Sequence, residues 1–460
     1  MRKLIGDRTF YRRVLAIMLP ILIQNLITNC VNLLDNLMVG QIGTESMSGV
    51  AIVTQLFFVY NLAGFGLLSG SGILAAQYFG KGDHKGVRNV FRMKIISMCI
   101  LMAAAFGVLI FGGDLLVSQF LHEGGENLDL ALTLAEGNRY MAVMFWQIVP
   151  FGICQVYSTT LRECGETSTP MKAGLIAVVV NLVGNYILIY GKLGLPAMGV
   201  VGAALATVIS RFVECCIVVL KAHTDKESRK YMAGAYSSLS VPREISTLAI
   251  KMGAPLFINE FLWSLSIVLV NQNLSIRGLE VVSAINISST ISNLFACAYL
   301  AMGNAIAIII GQILGSGDFD RAIDEDNKLI ALQFAISLVI ASLMAIAAPA
   351  IANFYNTTAA VKSLASMFIR ITALFLPADA VVIAMYFTMR CGGKTFITFL
   401  FDSCFACFVT VPITILLVRF TSLPIVPVFF IQTSTLILKL LIGAVLLIKR
   451  KWVNNLVAEM

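Results

Sequence analysis

Long stretches without a charged side chain are the feature that most constrains this sequence. A helix that crosses the hydrocarbon core of a membrane needs about 20 predominantly apolar residues, and several uncharged stretches reach or approach that length. Among them are residues 46–80, 95–113, 140–161, 173–191, 281–317 and 329–361. Such stretches are typical of membrane-spanning helices.

The composition excludes a water-soluble protein. Apolar residues make up 58% of the chain and charged residues only 13%, whereas soluble domains have about 45–50% and about 25%. We therefore predict an all-α integral membrane protein, because backbone polar groups in lipid must be satisfied within each segment. The twelve predicted spans are 14–39, 47–72, 93–116, 136–161, 169–191, 195–220, 247–272, 281–311, 329–354, 362–389, 395–418 and 423–448.

The distribution of basic residues predicts the orientation of these spans. If the N-terminus is cytoplasmic, the cytoplasmic segments hold 25 Lys and Arg residues and the outer segments hold 5. This bias agrees with the positive-inside rule, so both termini are expected on the cytoplasmic side. It also accounts for the net charge of +8 without a nucleic-acid partner, since the excess lies beside anionic headgroups.

The sequence contains an internal repeat. A shift of 235 residues superposes Pro20 on Pro255, and it superposes the Gln-x-x-Gly-x-Gly-Asp pattern of residues 77–83 on that of residues 312–318. A shift of 228 residues superposes the Arg-x-x-Gly-x-Thr patterns of residues 162–167 and 390–395. The polar and glycine matches are hard to attribute to composition, so the repeat indicates a duplicated unit.

Two lobes of six helices each are therefore predicted, with an N-lobe in residues 1–230, a linker in 231–246 and a C-lobe in 247–460. Because each lobe has an even number of spans, both enter the membrane from the same side and the repeat is parallel. Parallel repeats occur in secondary transporters, in which a substrate path between the repeats opens alternately to the two sides. A duplicated scaffold and a channel remain alternatives.

Several motifs resemble those of the multidrug and toxic compound extrusion (MATE) family. The stretch from Leu19-Pro20 through Asp35 to the segment 40–45 is similar to the family's first helix and following loop. Further similar segments are 72–83 at the end of the second helix, 161–167 between the fourth and fifth, 199–207 in the sixth, and 390–395 between the tenth and eleventh. The order and spacing of these motifs cover nearly the whole chain.

This resemblance implies a V-shaped bundle with a central cavity in the bacterial cytoplasmic (inner) membrane. It also implies an antiporter that uses H⁺ or Na⁺ to export amphipathic, cationic drugs or toxic compounds by alternating access. We expect no cofactor, no transition metal and a monomer surrounded by lipid. Signatures of ATP-binding loops, zinc proteases and serine hydrolases do not occur in the sequence, so an enzyme is not expected.

Asp35 anchors a candidate cation site in the N-lobe. A charge inside the bilayer is costly, so a carboxylate without a neutralising sequence neighbour is a functional candidate. Asn181 and Asn185 are separated by four residues on one helix face, and Thr207 on the next helix can join them. Hard cations take oxygen ligands. The four positions match the family's N-lobe cation site, except that the family often has Asp in place of Asn185.

Glu260 and Asp379 form a candidate acidic pair in the C-lobe. Both lie in predicted spans, and their positions match an acidic pair that some family members carry, implying a role in binding the cation or the substrate. Asn25 is the repeat partner of Glu260, so this carboxylate is not shared by the two halves. The hinge of the first helix is predicted at Pro20, because proline cannot donate its backbone hydrogen bond.

The other charges inside spans are assigned no role in transport. Arg211 and Glu214 are expected to neutralise each other, Asp402 is expected to reach the cytoplasmic interface, and Lys439 and Arg370 can reach the interface or pair. Most of the ten cysteines lie in spans, where cysteine behaves as a small apolar residue.

Besides a duplicated scaffold, three alternatives to an antiporter remain at this point. A flippase for a lipid-linked sugar would need a basic cavity, and beyond the first five residues of each predicted span the only basic residues are Arg211, Arg370 and Lys439. A channel would give downhill flux without saturation, and a membrane-embedded enzyme would retain catalysis without a gradient. For the coupling ion, Asn185 removes a carboxylate from the N-lobe site and therefore favours protons over sodium.

Overall fold

Every regular element that the structure describes is helical. The computed structural model of the chain describes residues 4–120, 130–355 and 357–458, and these include twelve helical segments long and apolar enough to cross a membrane. The prediction of an all-α, twelve-span membrane protein is therefore confirmed. The ends of the predicted lobes, residues 1–3 and 459–460, lie outside the described residues.

The helices of the first half follow the predicted spans. They are α1 (Arg8–Gly40), α2 (Thr44–Lys81), α3 (His84–Phe120), α4 (Leu130–Met144), α5 (Ile148–Glu163), α6 (Ser168–Tyr190), α7 (Gly199–Thr224) and α8 (Lys226–Met232). A short 3₁₀ turn, Phe145–Gln147, joins α4 to α5 within one span. Helix α8 lies in the polar connection between the two halves.

In the second half, one span departs from α-helical geometry. The helices are α9 (Arg243–Ser275), α10 (Leu279–Ser316), α11 (Phe319–Phe354), α12 (Ala359–Cys391), α13 (Thr395–Phe399), α14 (Val411–Phe420) and α15 (Ile425–Ile448). Between α13 and α14 the eleventh span contains two π-helical segments, Leu400–Cys404 and Ala406–Thr410. Such segments change the direction of nearby side chains and are frequent at functional sites.

Helix α3 begins nine residues before the predicted span, because its first turns are polar and not apolar. Arg88 donates from Nε to the Tyr231 carbonyl at 3.2 Å, and Arg92 donates to the Gly234 carbonyl at 2.8 Å. The connection that carries α8 is thereby held on α3. Asp225 caps α8 by accepting from the backbone N–H groups of Ser228 and Glu227, and these hydrogen bonds lower the pKa of its carboxyl group.

The chain divides into two compact units. Unit 1 comprises Met1–Leu22, Ala76–Asp83 and Leu248–Met460, and unit 2 comprises Ile23–Ala75 and His84–Thr247. The division therefore falls inside α1, two residues after Pro20, and again inside α2. The predicted lobe boundaries follow the sequence repeat instead of these contacts, and they stay a prediction.

Repeat-related glycines make reciprocal contacts in unit 1. A Cβ atom on Gly80 of α2 would overlap the backbone of Gln312, and a Cβ atom on Gly315 of α10 would overlap the backbone of Gln77. Each glycine thus packs against the repeat partner of the glutamine on its own helix. This reciprocity is what an approximate two-fold relation between the repeats requires, and it explains why both glycines occur at these positions.

Gln77 also holds the segment that follows α15. It is fully buried, and its Nε2 atom donates to the carbonyl oxygens of Cys391 at 3.0 Å and Asn454 at 3.2 Å. Its Oε1 atom accepts from the Leu456 backbone N–H at 2.7 Å. A single side chain of the repeated motif therefore orders the end of the described chain on unit 1.

Candidate functional site

Asp35 lies near the C-terminal end of α1, in unit 2. It lies five positions before Gly40, the last residue of the helix, which places it about 8 Å from that end. The carboxylate is half-buried, and its Oδ1 atom accepts a hydrogen bond from Asn185 Nδ2 at 2.6 Å. A hydrogen bond to an ionised acceptor is shorter and stronger than a neutral one, so this contact ties α1 to α6.

The predicted neighbours of Asp35 come together on α6 and α7, two helices that pack against each other. Asn185 Nδ2 also donates to Asn181 Oδ1 at 3.3 Å, and Asn181 Nδ2 donates to Thr207 Oγ1 at 3.2 Å. The Thr207 hydroxyl donates in turn to the Ala203 carbonyl at 3.0 Å. We call Asp35, Asn181, Asn185 and Thr207 the first-half site; one line of hydrogen bonds connects them.

One oxygen of the first-half site receives no hydrogen bond from the described residues. Asn185 is 1% exposed and Asn181 is 4% exposed, and Asn185 Oδ1 is buried without a partner there. A buried polar atom without a partner is costly unless water, an ion or a conformational change satisfies it. This oxygen and the Asp35 carboxylate are therefore the two atoms of the site best able to receive a cation or a proton.

Arg211, the basic residue that acts electrostatically on Asp35, forms an ion pair with Glu214. Arg211 Nη1 donates to Glu214 Oε2 at 2.8 Å, which confirms the prediction that these two residues pair on α7. The guanidinium also lies 5.8 Å from the ring centroid of Phe151 and acts on Asp35 through space. Asp35 thus has an electrostatic neighbour, although its hydrogen bond comes from a neutral amide.

Pro20 is buried inside α1, and the helix continues on both sides of it. Its repeat partner Pro255 lies in the same way inside α9. Each proline leaves one carbonyl of the preceding turn without its helical hydrogen bond. The structure places Pro20 next to the division between the two units, and its role as a hinge stays a prediction.

Glu260 of α9 belongs to a polar network in unit 1. It is in hydrogen-bonding contact with Asn259 and Tyr386, and Arg390 and Asp402 act on it through space. Asn259 is 1% exposed and Tyr386 of α12 is 7% exposed. The carboxylate is therefore surrounded by neutral donors, with one basic and one acidic group further away.

Asp379 of α12 lies in the wall of a cavity of about 250 Å³ in unit 1. Its carboxylate is in hydrogen-bonding contact with Tyr299 of α10, and Lys439 and Asp402 act on it through space. Among the described side chains, no hydrogen bond joins Asp379 to Glu260. The predicted acidic pair therefore consists of two separate carboxylates that share Asp402 as a common neighbour.

Asp402 and Lys439 are two of the charged residues to which the sequence assigned no role in transport. Lys439 Nζ donates to Asp402 Oδ1 at 2.6 Å, and Asn259 Nδ2 donates to Asp402 Oδ2 at 3.0 Å. The Asp402 side chain is 14% exposed and pairs with Lys439 inside unit 1, and its expected position at the cytoplasmic interface stays a prediction. The sequence signal that could have predicted this pair is the presence of opposite charges in two consecutive spans, the eleventh and the twelfth.

We call Glu260, Asp379, Asp402, Lys439 and Arg390 the second-half cluster. It combines three carboxylates with two basic groups, whereas the first-half site has one carboxylate and three neutral side chains. Within the described ranges, no group of three or more His, Cys, Asp and Glu side chains is arranged to hold a metal ion.

Comparison with known proteins gives a consistent result along the chain. The MatE family model matches residues 20–187 and 255–416, one segment in each half of the repeat. The chain is 24% identical over 426 residues to a probable multidrug resistance protein, YoeA, of Bacillus subtilis, covering 91% of this chain and 89% of that protein. It is 21% identical over 441 residues to a probable multidrug resistance protein, NorM, of Thermotoga maritima, covering 96% and 93%.

The fold is also that of a solved structure. A crystal structure of a MATE protein in a bent conformation superposes with a TM-score of 0.86 at 20% sequence identity, covering 97% of this chain and 96% of that one. The family model covers most of both halves, the twelve spans are those of a multi-pass membrane protein, and the family consists of transporters and not of enzymes. This chain belongs to the MATE family of transporters.

Proposed function

We propose that this protein is a proton-coupled antiporter that exports amphipathic organic cations across the bacterial cytoplasmic membrane, with both termini on the cytoplasmic side. The observation that carries the proposal is the hydrogen bond from Asn185 to Asp35 at 2.6 Å within an otherwise neutral, buried site. Family membership supports the transport of small molecules driven by an ion gradient. Relatives named as multidrug resistance proteins support drug-like substrates.

Proton uptake at Asp35 changes the contact between α1 and α6. The ionised carboxylate accepts from Asn185 Nδ2, and a charge-assisted bond of this kind weakens when the acceptor is neutralised. Protonation therefore loosens the connection between the two helices. Pro20 provides a position at which α1 can bend in response, and the resulting movement drives alternating access of the two lobes.

The polar groups of the second half tune affinity in this proposal. Carboxylates in an apolar cavity favour cationic ligands, and Asp379 faces such a cavity with Phe375 and Leu376. Glu260 lies among neutral donors, so it can attract a cation when ionised and release it when protonated. Both residues then influence the affinity for the substrate or the cation and not the coupling step itself.

Sodium coupling is the second candidate, and one observation favours it. Asn185 Oδ1 is a buried oxygen without a partner among the described residues, and sodium is a hard cation that takes oxygen ligands. Against sodium, the same side chain directs its Nδ2 donor at Asp35, so the amide would have to turn before its oxygen could face an ion beside the carboxylate.

The test is drug efflux from proteoliposomes under an imposed proton or sodium gradient. We expect the wild type to respond to the proton gradient and Asp35→Asn to lose gradient-driven efflux. Asp320→Asn, an exposed carboxylate near the start of α11, is the matched control and should behave as the wild type. Unchanged efflux in a folded Asp35→Asn protein would reject the coupling assignment. Efflux that fails to saturate with rising drug concentration would indicate a channel and not a carrier.

The ion is tested by adding a carboxylate to the first-half site. In Asn185→Asp the second carboxylate lies next to Asp35 and raises the negative charge of the site, which favours a bound metal cation. We expect sodium to stimulate efflux in this variant and to have no effect in the wild type. Stimulation of the wild type by sodium at constant pH would instead establish sodium coupling.

A further inference from the structure

We infer that Lys439 is a built-in cation of the second-half cluster, whose ammonium group occupies a place that a free monovalent metal cation would otherwise take. Lys439 thereby excludes a second exchangeable ion and sets the ion specificity of the transporter. The inference rests on the proposed function in one respect: it leaves Asp35 as the exchanging group.

The ammonium of Lys439 has the surroundings of a bound cation. It lies 2.6 Å from Asp402 Oδ1 and 5.4 Å from the ring centroid of Phe401, within the range of a cation–π contact. The side chains of Lys439 and Asp402 are 13% and 14% exposed. A cation held by a carboxylate and an aromatic face in a largely buried place is bound there and is not a solvated surface charge.

Lys439 also lines a cavity whose mainly apolar wall carries several oxygen atoms. Gln432, Thr435 and Lys439 lie at helical spacing on one face of α15 and line the cavity of about 250 Å³. Asp379 and Tyr299 line it from α12 and α10. Carboxylate, hydroxyl and amide oxygens are the ligands that hard cations prefer, so Lys439 stands where the polar groups of three helices converge.

The eleventh span supplies the carboxylate through its irregular geometry. Asp402 lies in the π-helical segment Leu400–Cys404, and Thr410 ends the second π-helical segment, 3.2 Å from the Thr435 hydroxyl. A π-helical turn contains an additional residue and so rotates the side chains that follow it. Both segments direct polar groups of this span at α15.

Both oxygens of Asp402 are occupied as long as Lys439 is present. Asn259 Nδ2 donates to Oδ2 at 3.0 Å while Lys439 takes Oδ1. Removal of the ammonium leaves a buried carboxylate with one neutral partner, which is strongly unfavourable. A sodium ion from solution relieves this charge, and the cavity that Lys439 lines supplies further oxygens from Asp379, Gln432 and Thr435.

The test is sodium binding to the purified full-length chain in detergent, in an Asp35→Asn background that removes the carboxylate of the first-half site. We expect Lys439→Met to gain saturable binding of radioactive sodium that the parent lacks, and at low sodium concentration to retain at least about tenfold more sodium than the parent. Lys439→Arg is the matched control and should gain none. Adding Asp402→Asn to Lys439→Met should abolish the gain.

Two outcomes would overturn the inference. The first is a folded Lys439→Met protein, monodisperse on size exclusion, that binds no more sodium than its parent, which would give the Lys439–Asp402 pair a structural role only. The second needs no new variant: saturable sodium binding by the Asp35→Asn parent with Lys439 intact. Because binding is measured without transport, failure of the proton-coupling proposal in proteoliposomes would leave these results unaffected.

Discussion

The two halves of this protein share a scaffold and differ in the charges they bury. In the first-half site a single carboxylate, Asp35, is bound by the neutral amide of Asn185. In the second-half cluster, Asp402 is bound by the ammonium of Lys439. An unpaired carboxylate can change its charge without leaving a buried partner uncompensated, whereas a paired one cannot. The difference suits Asp35 to ion exchange and the Asp402–Lys439 pair to constant charge.

Buried charges away from these two sites also differ between the halves. On α3, Lys94 is fully buried and bonded to Thr160 at 3.2 Å, with Thr159 and Glu163 as further partners. On α11, Asp326 is 1% exposed and accepts from Thr388 at 2.6 Å. Thr160 and Thr388 are repeat partners, so equivalent hydroxyls meet a cation in one half and an acid in the other.

The strongest way to break the comparison is to neutralise one carboxylate in each half. We expect Asp35→Asn to lower gradient-driven efflux by at least about a hundredfold, or about 2.7 kcal/mol, because the exchanging group is lost. Glu260→Gln should lower it by about tenfold or less, since the neutral donors around Glu260 also satisfy an amide. Initial efflux rates in proteoliposomes measure both, and equal losses would contradict the assignment of different roles.

A second prediction tests the scaffold that the halves share. Gly315→Ala should destabilise the protein by about 1–3 kcal/mol, because the added methyl group overlaps the Gln77 backbone. Gly107→Ala is the matched control, since no atom lies within 4 Å of the Cβ position at this helical glycine. Thermal unfolding in detergent should show a lower Tm only for Gly315→Ala. An equal Tm for both variants would mean that α2 and α10 can separate here without loss.

The buried charges on α3 and α11 give a smaller, paired prediction. Thr388→Val removes the hydrogen bond that the described residues give to Asp326, and we expect a loss of about 1–2 kcal/mol. Thr160→Val should cost less, because Lys94 keeps Thr159 and Glu163 as partners. Chemical or thermal unfolding measures the loss of stability in both variants. A larger loss in Thr160→Val than in Thr388→Val would contradict the prediction.

The smallest effect is expected at the helix prolines. Pro20→Ala restores a backbone donor inside α1 and should slow efflux by a few fold, about 1 kcal/mol or less, by making the helix harder to bend. Pro255→Ala, its repeat partner in α9, should leave the rate unchanged. If the two variants transport equally well, bending at Pro20 is not a required step.

The cation-site neighbours were largely predictable because their spacing is local. Asn181 and Asn185 lie on one helix face by their i, i+4 spacing, and the structure joins them to Asp35 and Thr207. The partner of Asp402 was not predictable, because Lys439 lies 37 residues away on another span. A regular helix was assumed for the eleventh span, and the π-helical segments change which side chains face α15.

The sequence alone determined the class of the protein, the number of its spans and the duplication, because hydropathy and repeat spacing are properties of each segment by itself. It also singled out Asp35, Glu260 and Asp379, since an unneutralised charge in a span is visible without coordinates. Only the tertiary structure decided which charge meets which partner: a neutral amide for Asp35 and a lysine for Asp402. Pairing depends on distances of a few ångströms between helices, and linear spacing does not contain them.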